Sequence, residues 1–229
     1  MVPPDDAACR IVVLASGNGS NFQALIDAAA AGRISHAAIV ALFYNRKDAV
    51  ARQRAEQAAP PIPAEYFNLV SGGFQRPGEQ DAGARRAARQ RYDAALAAAV
   101  LRHRPHLVVL AGWMHVFSEH FLAPVREAQV KMINLHPALP GKYDGAGAIG
   151  RAFQDWKDGK LEGNRTGVMV HYVIAEVDRG DPILTQEVPC HDGDRLEDLE
   201  RRIHAVEHDL LLRATAKVVQ EILGLEGKE

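Results

Sequence analysis

With 229 residues, 47% of them apolar and 24% charged, the chain can bury a full core without disulfide staples. Its 27 Lys and Arg against 29 Asp and Glu leave a formal charge of −2, so no global basic field exists to draw in nucleic acid. The two cysteines, Cys9 and Cys190, lack C-x-x-C spacing, and no apolar run reaches the roughly 18 residues of a membrane span. A cytoplasmic protein is expected, with residues 1–9 as a disordered tail and 10–226 as one domain.

Residues 10–16 (RIVVLAS) are apolar and β-branched and run into Gly17-Asn18-Gly19, the composition of a buried strand ending in a tight turn. The helix that follows has Ser20 as its expected cap, Phe22, Leu25, Ile26 and Ala29 on one face, and Gly32 to close it. Residues 38–44 (AIVALFY) repeat the strand pattern, and a helix over about 48–58 stops before Pro60, Pro61 and Pro63. A third strand is expected at 66–70, then an exposed loop at 71–78, an Ala/Arg-rich helix to about Arg104 and a fourth strand at 107–111. A helical stretch with Phe121, Leu122 and Val125 precedes a fifth strand at 130–135, which ends at His136-Pro137 before a long loop. Residues 167–174 and 183–188 read as two more strands flanking the turn composition Asp178-Arg179-Gly180-Asp181. The last helix is expected from about Asp194, with Glu197 in a capping-box position and Leu196, Leu199, Ile203, Val206, Leu210, Ala214 and Val218 on one face. Strands alternating with helices this regularly imply an α/β protein whose mostly parallel sheet is covered on both faces, with ligands beyond the carboxyl ends of its strands.

Three stretches carry polar groups that such a fold could use. In Ser16-Gly17-Asn18-Gly19-Ser20-Asn21, glycines permit close backbone approach, and the amides at the following helix start favour a phosphate. Phe22 stands at the next glycine position of a dinucleotide fingerprint, and no Lys-Ser/Thr pair makes a P-loop, so a purely structural turn is the competing reading. In Asn134-Leu135-His136-Pro137, period-two alternation puts the amide and the imidazole on one side. Both can donate to an oxyanion, and the imidazole can also exchange a proton. Asp178 would orient and charge that imidazole if the fold joins the two loops; alone it is a turn residue. His103, His106, His115 and His120 straddle several elements without a metal-site spacing, so no metal is expected. Arg85, Arg86, Arg89 and Arg91 read as an exposed helix face, and His191-Asp192-Gly193-Asp194 suits helix capping better than calcium.

In order and spacing these stretches resemble the glycinamide ribonucleotide formyltransferase family, from about Arg10 to Leu223. Ala111-Gly112-Trp113-Met114, Val170-His171-Tyr172-Val173 and Ala205-Val206-Glu207-His208 extend the resemblance. It is strongest to free-standing fungal members, through His136-Pro137-Ala138-Leu139-Pro140-Gly141-Lys142-Tyr143-Asp144-Gly145 and the long loop from Ser71 to Asp81. The resemblance implies a three-layer formyltransferase fold with a Rossmann-like sheet of about seven strands. It further implies a phosphate-binding half at about 10–112 and a catalytic, folate-binding half at about 113–226.

On the same ground Asn134, His136 and Asp178 are the expected catalytic residues. Gly19, Ser20 and Asn21, with Arg89, would hold the substrate phosphate, and Glu207 the ribose hydroxyls. Met114, His115, Val116 and Phe117 would face the folate from one side, and Ala175, Glu176 and Val177 from the other. His115 stands where bacterial members often carry arginine. The implied reaction moves a formyl group from 10-formyltetrahydrofolate to the amine of glycinamide ribonucleotide in purine biosynthesis. Formylglycinamide ribonucleotide and tetrahydrofolate are the products, and the enzyme would be a monomer or homodimer that uses no metal, nucleic acid or membrane. Rival readings are a formyltetrahydrofolate deformylase, a methionyl-tRNA formyltransferase, or a non-catalytic phosphate-binding module built on Gly17 to Asn21.

Overall fold

The computed structural model describes residues 8–225, so residues 1–7 of the expected tail and residue 226 of the expected domain lie outside the described residues. The elements in chain order are β1 (Cys9–Ala15), α1 (Ser20–Ala30), β2 (Ala37–Tyr44), α2 (Ala51–Gln57), β3 (Ala64–Tyr66), α3 (Ala82–Leu101) and β4 (Leu107–Leu110). They continue with α4 (Glu119–Glu127), β5 (Lys131–His136), α5 (Ala148–Lys157), β6 (Arg165–Tyr172), β7 (Pro182–Pro189) and α6 (Leu196–Leu223). One sheet holds all seven strands in the order β3-β2-β1-β4-β5-β6-β7. Pairings from β3 through β5 are parallel, and β6 and β7 join antiparallel.

Alternation along the central strand sorts the core into two layers. Ile11 and Val13 face one side and pack with Phe22 and Leu25 of α1 and Leu199, Ile203 and Leu210 of α6. Val12 and Leu14 face the other and pack with Tyr92 and Leu96 of α3 and Phe121 of α4. Fully burying a Leu or Phe stabilises by roughly 1.5–3 kcal/mol, so these stripes hold helices to both faces of the sheet.

Several local expectations are corrected. Cys9 is fully buried and paired with Ala37, so the sheet begins inside the expected tail. Ser20 is the first helical residue of α1, not its cap; Gly19 takes that place with φ 73° and no side-chain cap bond. A β-carbon on Gly19 would stand 2.7 Å from Ala51 Cβ, which leaves only glycine for the position. The third strand lies earlier than 66–70: β3 pairs Ala64, Glu65 and Tyr66 with β2. The chain then turns away at Asn68, whose Oδ1 accepts from the amides of Val70 and Ser71. Glu197 does not cap α6; the box is closed between Arg195 and Asp198. The long loop after His136-Pro137 contains α5, which Gly145, Gly147 and Gly150 hide in the sequence and which Ala148 and Ala152 anchor.

Candidate active site

Beside β1 the sheet order reverses, with β2 on one flank and β4 on the other, so the loops after β1 and β4 diverge and open a crevice. Ser16, buried at the end of β1, binds these loops together. Its amide donates to Gly112 O at 3.0 Å, and its hydroxyl accepts from the Met114 amide at 2.8 Å. The amides of the first turn of α1, at Ser20 and Asn21, have no acceptor within the helix, and free amides at a helix start suit an anion. Asn21 Nδ2 donates to Oε2 of buried Glu207 at 3.1 Å, bringing the start of α1 to the middle of α6 across 186 residues of sequence. Arg54 of α2 was not expected here. Its Nε donates to Asn18 O and its Nη2 to Asn18 Oδ1, both at 2.9 Å, which braces the turn.

The amide, imidazole and carboxylate meet. Asn134 and His136 lie two residues apart on β5, and Asp178 reaches them from the β6–β7 connection. Asn134 Nδ2 donates to Asp178 Oδ1 at 3.1 Å, and His136 Nδ1 lies 3.3 Å from Asp178 Oδ2. The Gly145 amide donates to the same Oδ2 at 2.8 Å. His136 Nε2 lies 3.3 Å from Lys142 O, so both ring nitrogens face oxygen acceptors. Burial works to raise the Asp178 carboxyl, yet hydrogen bonds from His171 and Gly145 and the charges of His136 and His171 hold it below its ordinary range. The turn that delivers Asp178 is tight: Asp178 itself has φ 56°, and a β-carbon on Gly180 would stand 1.7 Å from Tyr172 O.

His171 completes the cluster and was missed as a site residue. It pairs directly with Asn134 across β5 and β6, so the two side chains share a face. Its Nδ1 donates to Tyr172 O at 2.8 Å, which points Nε2 at Asn134 Nδ2 (3.2 Å) and Asp178 Oδ1 (3.4 Å). The signal in the sequence was a lone histidine inside the apolar run 167–174, and only strand pairing shows what it faces.

A cavity of about 340 Å³ opens beside this cluster, between the strap after β4, the 145–148 stretch and residues 173–178. Met114 and Val116 are 77% and 58% exposed on its rim, apolar surface that a flat ligand would cover. Ala175, Glu176 and Val177 line the opposite wall. Phe117 is buried and stacked on Phe121 with ring centroids 3.9 Å apart. The His115 imidazole is turned inward, 2.6 Å from Asp93, and only the rest of the residue serves the cleft. Burial pushes the Asp93 carboxyl up, but His115 and Ser118 outweigh it and keep the group below its usual range. Arg89 of α3, expected at the phosphate, donates from Nη2 to the strap carbonyl Val116 O at 3.3 Å.

A crevice in a mostly parallel α/β sheet, with free helix-start amides at one end and an amide–imidazole–carboxylate group beside an apolar cavity, suits group transfer between two bound molecules. Residues 9–215 match the model of the formyl transferase family. The chain is 43% identical to a phosphoribosylglycinamide formyltransferase of Schizosaccharomyces pombe over 92% of its own length and 97% of that protein. It is 38% identical to the Saccharomyces cerevisiae enzyme of the same name, over 93% and 98%. A crystal structure of glycinamide ribonucleotide transformylase 1 from Symbiobacterium toebii superposes with a TM-score of 0.76 at 30% identity, over 95% of this chain and 90% of that one. The chain belongs to the formyl transferase family, and within it to the phosphoribosylglycinamide formyltransferases.

Among the described residues no cluster of three or more His, Cys, Asp and Glu is placed to hold a metal ion. No helix among them is long and apolar enough to cross a membrane.

Proposed function

We propose that the chain transfers the formyl group of 10-formyltetrahydrofolate to the amine of glycinamide ribonucleotide. The observation that carries this reading is the convergence of Asn134 and His136 on Asp178, at 3.1 and 3.3 Å, beside the cavity. The phosphate sits on the amides of Gly19, Ser20 and Asn21, and Glu207, already held by Asn21, receives the ribose hydroxyls. The folate lies between the strap at Met114–Phe117 and the wall at Ala175–Val177, where backbone groups and apolar side chains suit a flat heterocycle.

As the amine nitrogen bonds to the formyl carbon, negative charge grows on the formyl oxygen. Asn134 Nδ2 and the Nε2–H of His136, which otherwise donates to Lys142 O, are the donors that meet it. Asp178 pairs with His136 and, through water, carries the proton lost by the amine to the folate nitrogen as its bond to the formyl carbon breaks. No covalent acyl-enzyme is required: the buried Cys9 thiol is pushed up to about 11 by desolvation and is a poor nucleophile at neutral pH.

Supplying both substrates to His136→Ala and Asp178→Asn proteins tests the reading. Turnover should drop by roughly 10²–10⁴-fold in each. Near-normal turnover in either folded variant removes that residue from the mechanism, and formate release without an acceptor points to deformylation.

A further inference from the structure

The 137–147 segment runs from β5 to α5 along the cleft, and two of its backbone groups touch the catalytic pair. Lys142 O accepts from His136 Nε2 at 3.3 Å, and the Gly145 amide donates to Asp178 Oδ2 at 2.8 Å. The segment holds one residue in a costly conformation, Tyr143 with φ 53°. Two arginines hold it from outside. Arg151 of α5 directs Nη2 at the carbonyls of Tyr143, Asp144 and Ala146, at 2.5, 2.7 and 3.0 Å. Arg179, the residue after Asp178, donates from Nε to Asp144 Oδ2 at 2.6 Å and joins the segment to the turn that carries the catalytic carboxylate.

We infer that Asp144, Arg151 and Arg179 form a clasp of positioning residues that seats the Gly145 N–H against Asp178 and so fixes the catalytic geometry. This rests on the proposed formyl transfer. The clasp acts on rate, not on folding: Arg179 and Asp144 side chains are 53% and 30% exposed, and pairs so exposed contribute little to stability. A displacement of the reacting groups by about 1 Å, by contrast, costs up to roughly 10²-fold in rate.

The test is steady-state kinetics of the full chain with both substrates for Arg179→Ala, Asp144→Ala, the double variant and Arg179→Lys. Each single alanine variant should lose about tenfold in kcat, with KM for the sugar-phosphate amine unchanged within about twofold and the melting temperature unmoved. The double variant should be no slower than the singles, and Arg179→Lys should recover most of the rate.

The pH profile separates a clasp from a mere charge effect. Asp178 is faced by Asn134 and His136 of β5, His171 of β6 and the Gly145 amide, with Glu176, Arg179 and Asp181 on its own connection and Lys142 and Asp144 on the opposing segment. Removing the negative charge of Asp144 would by itself ease ionisation of Asp178 and move the acid limb of kcat/KM to lower pH. Loss of the Gly145 donor works the other way, so both Asp144→Ala and Arg179→Ala should move that limb upward. Additive losses, an unaltered kcat, or a downward limb in Asp144→Ala would overturn the clasp. Should the native chain transfer no formyl group, it is the functional reading that fails; the clasp is then read by hydrogen exchange at the Gly145 amide, which must quicken in Arg179→Ala and leaves the inference wrong if it does not.

Discussion

The two ends of the crevice are built by different means. The proposed anion seat is one unbroken stretch, Ser16 to Asn21, whose working groups would be mostly backbone amides fixed by the start of α1. The catalytic end is made of side chains drawn from β5, β6 and the β6–β7 connection, so that residues 134 and 178 meet across 44 positions. Backbone donors survive almost any substitution that preserves the turn, whereas each side-chain donor is lost with a single change. The seat should therefore be tolerant and the catalytic end brittle.

After the His136 and Asp178 variants, the largest effect expected on that comparison is at Asn134. Its replacement by alanine removes one oxyanion donor and frees one carboxylate oxygen of Asp178, and kcat should fall by about 10²–10³-fold, roughly 2.7–4 kcal/mol of barrier. Circular dichroism melting alongside the rate assay checks that the fold survives; a variant that turns over at the native rate would remove the brittleness. At the other end, Glu207→Gln keeps the shape of the side chain but weakens its bond from Asn21 and its hold on hydroxyls. KM for the sugar phosphate should rise about tenfold with kcat nearly constant, the mark of lost ground-state binding. An equal fall in kcat would mean that the two ends are not separable. Arg54→Met is the mildest change, because it removes a brace and leaves the amides of the seat in place. About a threefold rise in the same KM is expected, the low end of the net worth of one ordinary hydrogen bond. A loss of a hundredfold would show that the seat depends on side chains after all.

The same contrast explains what could be read from the sequence. The β1 strand, its glycine turn and α1 are visible because hydrophobic runs and glycines are local signals, and the alternation that follows gives the α/β class. Asn134 and His136 share a short period and stand out for the same reason. His171 does not, since its role comes from lying opposite Asn134 in an antiparallel pair, and register is a property of two strands. Arg151 and Arg179 are equally silent: a surface arginine looks the same whether it faces water or three carbonyls. His115 fills the expected position, yet its ring turns to Asp93, because a buried carboxylate on α3 is a stronger partner than an open cleft. Helix α5 was obscured where glycine propensity argues against a helix and tertiary packing of Ala148 and Ala152 overrides it.

The hydroxyl of Ser16 has a wider consequence than one bond. By accepting from the Met114 amide it joins the floor of the anion seat to the rim of the apolar cavity. The distance between those two stretches is thereby tied to a buried strand end and not to the loops alone.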